Sequence, residues 1–211
     1  MYKLSYYTEE NQDKVFTFMQ QNPFVILTGF GKEYPVATHI PLDIKKNDEG
    51  TLIFTGHMMK ATDHHKAFVE NPNVLVIFNG SHTYISASWY TEPHTASTWN
   101  YMTVHAKGKI SFMDEEGTYQ VIKNVTAKYE AESENPSLVE QMSPEYIKKN
   151  IKAIIGFEIV VEEIDNVFKL SQNRDKESKQ RIIEQLKKRG DGNSLAIAME
   201  MEKNQKMYFT S

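Results

Sequence analysis

Cysteine is absent from this chain of 211 residues. Disulfides, cysteine-based zinc sites and thiol nucleophiles are thereby excluded, and the absence fits a reducing compartment. No apolar run approaches the roughly 20 residues that a membrane-spanning helix needs. The opening stretch, MYKLSYYTEE, is too polar for a secretion signal. The expectation is a cytoplasmic protein with no membrane partner. An excess of positive charge is also missing. The net charge is −4, which does not indicate a general nucleic-acid-binding surface. The sequence contains no GxGxxG, GxxxxGK[ST], HExxH or GxSxG, so the corresponding dinucleotide, P-loop, zinc-protease and hydrolase signatures are not available. There is no internal repeat and no low-complexity tract.

What is present is an ordinary globular composition, 40% hydrophobic and 25% charged, long enough for one large or two small domains. The most unusual stretch is His82 to Tyr101, HTYISASWYTEPHTASTWNY. It holds both tryptophans, Trp89 and Trp99, with Tyr84, Tyr90 and Tyr101. Short hydroxyl side chains and Asn100 are interleaved with them. Flat rings supply apolar contact and the polar groups fix orientation, a combination that suits a planar ligand with a hydrogen-bonding edge. The competing explanation is a pair of buried strands whose tryptophans fill a core.

In chain order, Thr8 to Gln21 reads as a helix stopped by Asn22-Pro23. Strands are expected at Phe24–Thr28, Pro35–Ile44 and Leu52–Thr55, with a turn at Asn47–Gly50. A short helix capped by Thr62 or Asp63 ends at Asn71-Pro72. Asn73–Phe78 is almost wholly apolar, as in a strand buried on both faces. The aromatic stretch reads as two strand segments broken around Thr91–Ala96. Tyr101–Met113 follows as a half-buried strand with an irregularity at Gly108. Helical periodicity starts at Asp114, Ser143 caps another helix, and Ile154–Ile164 is the last strong strand. A helix running to Lys188 stops at Gly190, and Ser194–Met201 forms a last short helix. Sequential strands with inserted helices give a mainly β, α+β fold, an antiparallel barrel with peripheral helices and a C-terminal helical segment. The expected division is residues 1–170 for the barrel and 171–211 for a helical extension packed on it.

Candidate chemistry is sparse. His64 and His65 are adjacent and point to different sides of a helix, and the other histidines are scattered, so no metal site is expected. A phosphate-bearing ligand needs cations or free backbone amides. Lys60 lies between a strand end and a helix, and Lys169 and Arg174 flank Leu-Ser-Gln-Asn. From Ser171 to Gly190 there are seven cations and three acids. Ile182, Ile183 and Leu186 nonetheless form an apolar stripe, and no second helix lies at helix-turn-helix spacing. Tight sequence-specific DNA binding by the chain itself is therefore not expected.

Five segments carry a family resemblance: ATHIPL (Ala37 to Leu42), TGHMMKA (Thr55 to Ala61), YISASWY (Tyr84 to Tyr90), STWNY with VHAKG (Ser97 to Gly108), and FKLSQNR (Phe168 to Arg174). In this order they resemble the PaiB-type FMN-binding negative transcriptional regulators, over about Met1 to Gly190. The resemblance implies a split β-barrel similar to that of pyridoxamine-phosphate-oxidase-like flavoproteins. It further implies FMN as cofactor, a homodimer with FMN near the subunit interface, and repression of degradative-enzyme and sporulation genes. Ala87 and Ser97 stand where the family usually has proline, and His94 where an arginine or lysine often lies. Met58-Met59-Lys60 also departs from the usual continuation after Gly-His. On this resemblance Thr38, His39 and Lys60 would contact the ribityl-phosphate arm. Ser88, Trp89, Trp99 and Asn100 would line or abut the isoalloxazine, and Gln172 and Asn173 would close the site. The function implied is a flavin-dependent sensor or regulator. The alternatives are an FMN-dependent oxidoreductase acting on a small substrate and a haem-handling split barrel.

Overall fold

The computed structural model describes residues 1–2 and 4–207, with side chains to 204. The last four residues of the expected extension lie outside the described residues. Among the described residues seven strands form one sheet in the order β2-β1-β5-β6-β7-β4-β3. They are β1 (Phe24–Gly29), β2 (Val36–Pro41), β3 (Asp43–Lys46), β4 (Leu52–Met59), β5 (Asn73–Ile85), β6 (Thr98–Phe112) and β7 (Ile154–Lys169). The helices are α1 (Gln12–Gln21), α2 (Asp63–Glu70), α3 (Glu115–Glu130), α4 (Pro144–Ile151), α5 (Lys176–Arg189) and α6 (Gly192–Met207). The fold is a split β-barrel, mainly β with peripheral helices. Two compact units are built on it. The first comprises Met1–Phe18, Asn79–Val104 and the chain from Asp165 onward; the second comprises Met19–Phe78 and His105–Ile164.

In the second unit, β1 pairs antiparallel with β2 from Phe24 opposite Pro41 to Gly29 opposite Val36, and β4 pairs antiparallel with β7. The sheet curls so that β2 approaches β4. A Cβ on Gly56 would lie 3.2 Å from the Pro41 carbonyl oxygen and 2.7 Å from the Phe157 ring. Glycine is required at this crossing because no side chain fits. Leu27, Ile44, Phe54, Phe78, Phe157 and Ile159 fill the interior, with Phe54 edge-on to Phe78 at 5.4 Å. Each such side chain contributes about 1.5–3 kcal/mol by leaving water. The Thr62 hydroxyl caps α2 by accepting from the His65 N–H. Asp114 caps α3, and the Thr118 hydroxyl accepts from the Gly156 N–H at 2.9 Å, pinning α3 to β7.

Three expectations need correction. Pro35–Ile44 is not one strand: it breaks at Leu42, whose side chain is buried and whose N–H donates to the Pro23 carbonyl at 2.9 Å. The segment from Asn73 is not buried on both faces, because its burial alternates along the strand. Gly108 is no irregularity either, since β6 is continuous there. The glycine instead lets β7 come close, as a Cβ would sit 2.3 Å from the Val160 carbonyl oxygen.

In the first unit, α5 is capped by Asp175 at its start and by Gly190 at its end, which takes the left-handed conformation (φ 75°) that glycine adopts without strain. Its stripe of Ile182, Ile183 and Leu186 is buried, as are Ile197, Ala198 and Met201 of α6. The charges of α5 pair at the surface, Arg181 with Glu177 at 2.6 Å and Lys187 with Glu202 at 2.7 Å.

Candidate functional site

The aromatic stretch does not form one buried block. β5 ends at Ile85, a 3₁₀ turn covers Ala87–Trp89, and β6 begins at Thr98. Alternation along β6 sends Thr98 and Asn100 to one face and Trp99 and Tyr101 to the other. Trp99 is 53% exposed. The Tyr84 ring stands edge-on to it at 6.0 Å and His82 lies 6.2 Å away. Trp99 and His82, with Asn79, Gly80, Tyr101 and Met102, line an open cavity of about 380 Å³. Gly80 forms part of its wall, and a Cβ there would strike the Phe18 ring at 2.6 Å. An exposed indole with polar neighbours is the surface that a flat conjugated ring needs, and these residues fit an isoalloxazine.

On the opposite face of β6, Asn100 is fully buried. Its Nδ2 donates to the Ser171 hydroxyl at 2.9 Å, and that hydroxyl stands 3.1 Å from Asn100 Oδ1. Ser171 has φ 60°, a left-handed value unusual for serine. It opens the turn in which Gln172 and Asn173 sit. The Gln172 side chain folds back onto the turn, accepting from the Leu170 N–H at 2.7 Å and donating to the Phe168 carbonyl. Asn173 accepts from the Tyr7 hydroxyl at 3.4 Å. Ser88 is exposed and shares a hydrogen bond with Ser86 at 2.8 Å. Trp89 is half-buried beneath the Arg189 guanidinium, 5.0 Å from its ring.

Thr38, His39 and Lys60 belong to the second unit. Thr38 is half-buried on β2; His39 faces out and stacks on exposed Phe24, 6.2 Å between ring centres. Lys60 follows β4 and precedes Ala61, another left-handed residue (φ 63°), which turns the chain into α2. Among the described residues no carboxylate pairs with Lys60. No cluster of three His, Asp or Glu side chains could hold a metal among them.

Residues 1–163 match the family model described as "Putative FMN-binding domain". The chain belongs to this family. It is 37% identical over 204 residues to "Protease synthase and sporulation protein PAI 2" of Bacillus subtilis (strain 168), covering 96% of this chain and 97% of that protein. Two solved structures share the fold. The flavocytochrome Anf3 from Azotobacter vinelandii has a TM-score of 0.62 at 14% identity, covering 80% of this chain and 72% of that one. The FAD and heme binding protein from Mycobacterium smegmatis has a TM-score of 0.55 at 11% identity, covering 77% and 73%. In this family FMN is the expected cofactor, and the chain's aromatic surface is compatible with it.

Two hydroxyl networks were not anticipated from sequence. Asp175 accepts from the Ser178 N–H and hydroxyl, and from the Thr91 hydroxyl at 2.9 Å. Asp191 does the same with Ser194, whose hydroxyl meets Thr83 at 3.0 Å. These bonds hold both carboxyls below the usual range, Asp175 far below it. The repeated Asp-x-x-Ser at the two helix starts was a legible signal for the caps. Nothing in the sequence pointed to the threonines 87 and 111 residues away.

Proposed function

We propose that the chain is a flavin-dependent regulator that binds FMN as a homodimer in the cytoplasm. The observation that carries the flavin reading is exposed Trp99, flanked by His82 and Tyr84 over an open cavity, in a member of an FMN-binding family. The regulatory part rests on the resemblance and on a relative whose name refers to protease synthesis and sporulation. Bound FMN supplies an isoalloxazine whose redox state can change with the cell.

The side chains divide into two sets. Trp99 offers its face to the ring, Ser88 and Trp89 border it, and Asn100 supports it by fixing the Ser171 turn. Gln172 and Asn173 present that turn's polar edge. Thr38, His39 and Lys60 form the second set, assigned to the ribityl-phosphate arm, where Lys60 supplies the charge. Residues 1–170 are assigned as the flavin-binding part, to which the turn of Gln172 and Asn173 adds its edge, and residues from 171 onward as the C-terminal extension.

The visible absorption spectrum of the purified chain tests this reading. A flavin spectrum supports it, and a haem Soret band would replace it. Steady-state oxidation of NAD(P)H would turn the regulator into an oxidoreductase. Light scattering at twice 24.4 kDa is expected, and gel shifts at physiological salt are expected to show weak, salt-sensitive DNA binding only.

A further inference from the structure

One end of the first unit brings two cations together, and the Asp175 carboxylate beside them is engaged by Ser178 and Thr91. Lys169 closes β7, and its Nζ donates to the Thr98 hydroxyl at 2.5 Å. The same ammonium lies over the rings of Tyr2 and Tyr7, at 5.8 and 5.6 Å. Five residues on, the Arg174 guanidinium stacks on Tyr90 at 4.0 Å. Tyr7 links the two cations: its ring sits under Lys169 while its hydroxyl donates to Asn173, the neighbour of Arg174.

Three observations set this group of side chains apart. Burial depresses the Lys169 pKa and the nearby Arg174 charge depresses it further, as expected for like charges sharing a partly dry site. The one carboxylate paired with either cation among the described residues is Glu92, 3.8 Å from Arg174 and well exposed, too remote and wet to neutralise the pair. The Tyr90 hydroxyl is buried, in a residue 6% exposed, and its polar neighbour is the Arg174 guanidinium, which makes no well-aligned hydrogen bond to it. Buried hydroxyls are almost always satisfied. Lys169 keeps two of its three donors, and the Arg174 side chain retains 22% exposure, so an ion can reach both from water.

We propose that Lys169, Arg174 and the Tyr90 hydroxyl form a binding site for a phosphate group. Two cations and a phenol donor match a doubly charged tetrahedral oxyanion better than a monovalent one. The group is that of a separate small phosphorylated ligand or, if this pair takes the place of Lys60, the phosphate of the flavin itself. The site is tested first without flavin, so it stands or falls apart from the flavin reading.

The flavin-free full chain is titrated with inorganic phosphate at constant ionic strength, read by phosphorus NMR line broadening. FMN and riboflavin are titrated in parallel by flavin fluorescence. Wild type, Arg174→Gln and Lys169→Gln are compared, with circular dichroism to verify folding. The expected result is saturable phosphate binding that Arg174→Gln weakens about ten- to a hundredfold. If the group is the flavin's own, the variants weaken FMN and spare riboflavin, and phosphate competes with FMN. If it belongs to a separate ligand, phosphate also binds the FMN-saturated chain and the variants abolish that binding. A wild-type chain with no saturable phosphate binding overturns the proposal, whether or not the variants fold. Equal phosphate binding by wild type and both folded variants overturns it as well.

Discussion

The buried pair of Asn100 and Ser171 gives the sharpest prediction about how the site is held. Asn100 is 0% exposed and Ser171 3%, and each depends on the other for its polar contacts. Other help is slight: a Met201 sulfur at 3.6 Å from Asn100 Nδ2. Ser171→Ala removes the hydroxyl and leaves a buried amide with poor partners, at a cost of about 1–3 kcal/mol. Alanine also retains the left-handed backbone. Ser171→Gly loses the same hydrogen bonds but relieves strain of about 1–2 kcal/mol. Part of that relief, up to about 1 kcal/mol, is offset by the greater freedom of glycine in the unfolded chain. Glycine should therefore be the milder substitution, by up to about 2 kcal/mol. Asn100→Ala should cost about 2–4 kcal/mol, since it strands the hydroxyl and opens a cavity. Urea denaturation followed by circular dichroism, without flavin and at fixed protein concentration, measures all three. The double variant should recover at least about 0.5 kcal/mol relative to the sum of the single ones. Additive single effects, or an alanine variant more stable than the glycine one, would refute this reasoning.

Other outcomes follow from particular contacts. Gly108→Ala places a methyl group 2.3 Å from the Val160 carbonyl oxygen, so it should destabilise by at least about 1–3 kcal/mol in the same melts. Asp175 and Asp191 have lowered pKa values in the folded chain. Their stabilisation is fully present above the unfolded value near 3.8 and is lost as pH falls below it. The stability gap between wild type and Asp175→Asn should thus be constant from neutral pH to about pH 5 and shrink below about pH 4, as read by urea melts across pH. Lys60→Ala should weaken FMN about ten- to a hundredfold and riboflavin far less. Equal losses for the two flavins would move the arm's phosphate contact away from Lys60.

Local signals were legible where one residue decides the backbone. Thr62, Ser143 and Gly190 each end or begin a helix as their chemistry dictates. The antiparallel, mainly β character could be read from strand-length apolar runs. Less legible was where long strands continue. β5 passes through Asn79-Gly80-Ser81 without a break, because pairing in the sheet outweighs the weak strand preference of those residues. Leu42 looks like a strand residue, yet its N–H is claimed by Pro23. Ala61, His94 and Ser171 take left-handed backbones that no glycine advertised. For the candidate site, the sequence drew attention to Trp99 and the Leu-Ser-Gln-Asn turn. It gave no indication that Asn100 faces inward to Ser171, since that contact joins positions 71 residues apart.

The central claim is that this chain holds FMN against Trp99, and a fluorescence titration tests it most directly. FMN added to the purified wild-type chain should lose fluorescence with a stoichiometry near one per chain. Trp99→Ala should weaken binding about two- to tenfold through loss of ring contact, with folding unchanged because Trp99 is half exposed. Undiminished FMN fluorescence at high micromolar protein would contradict the account.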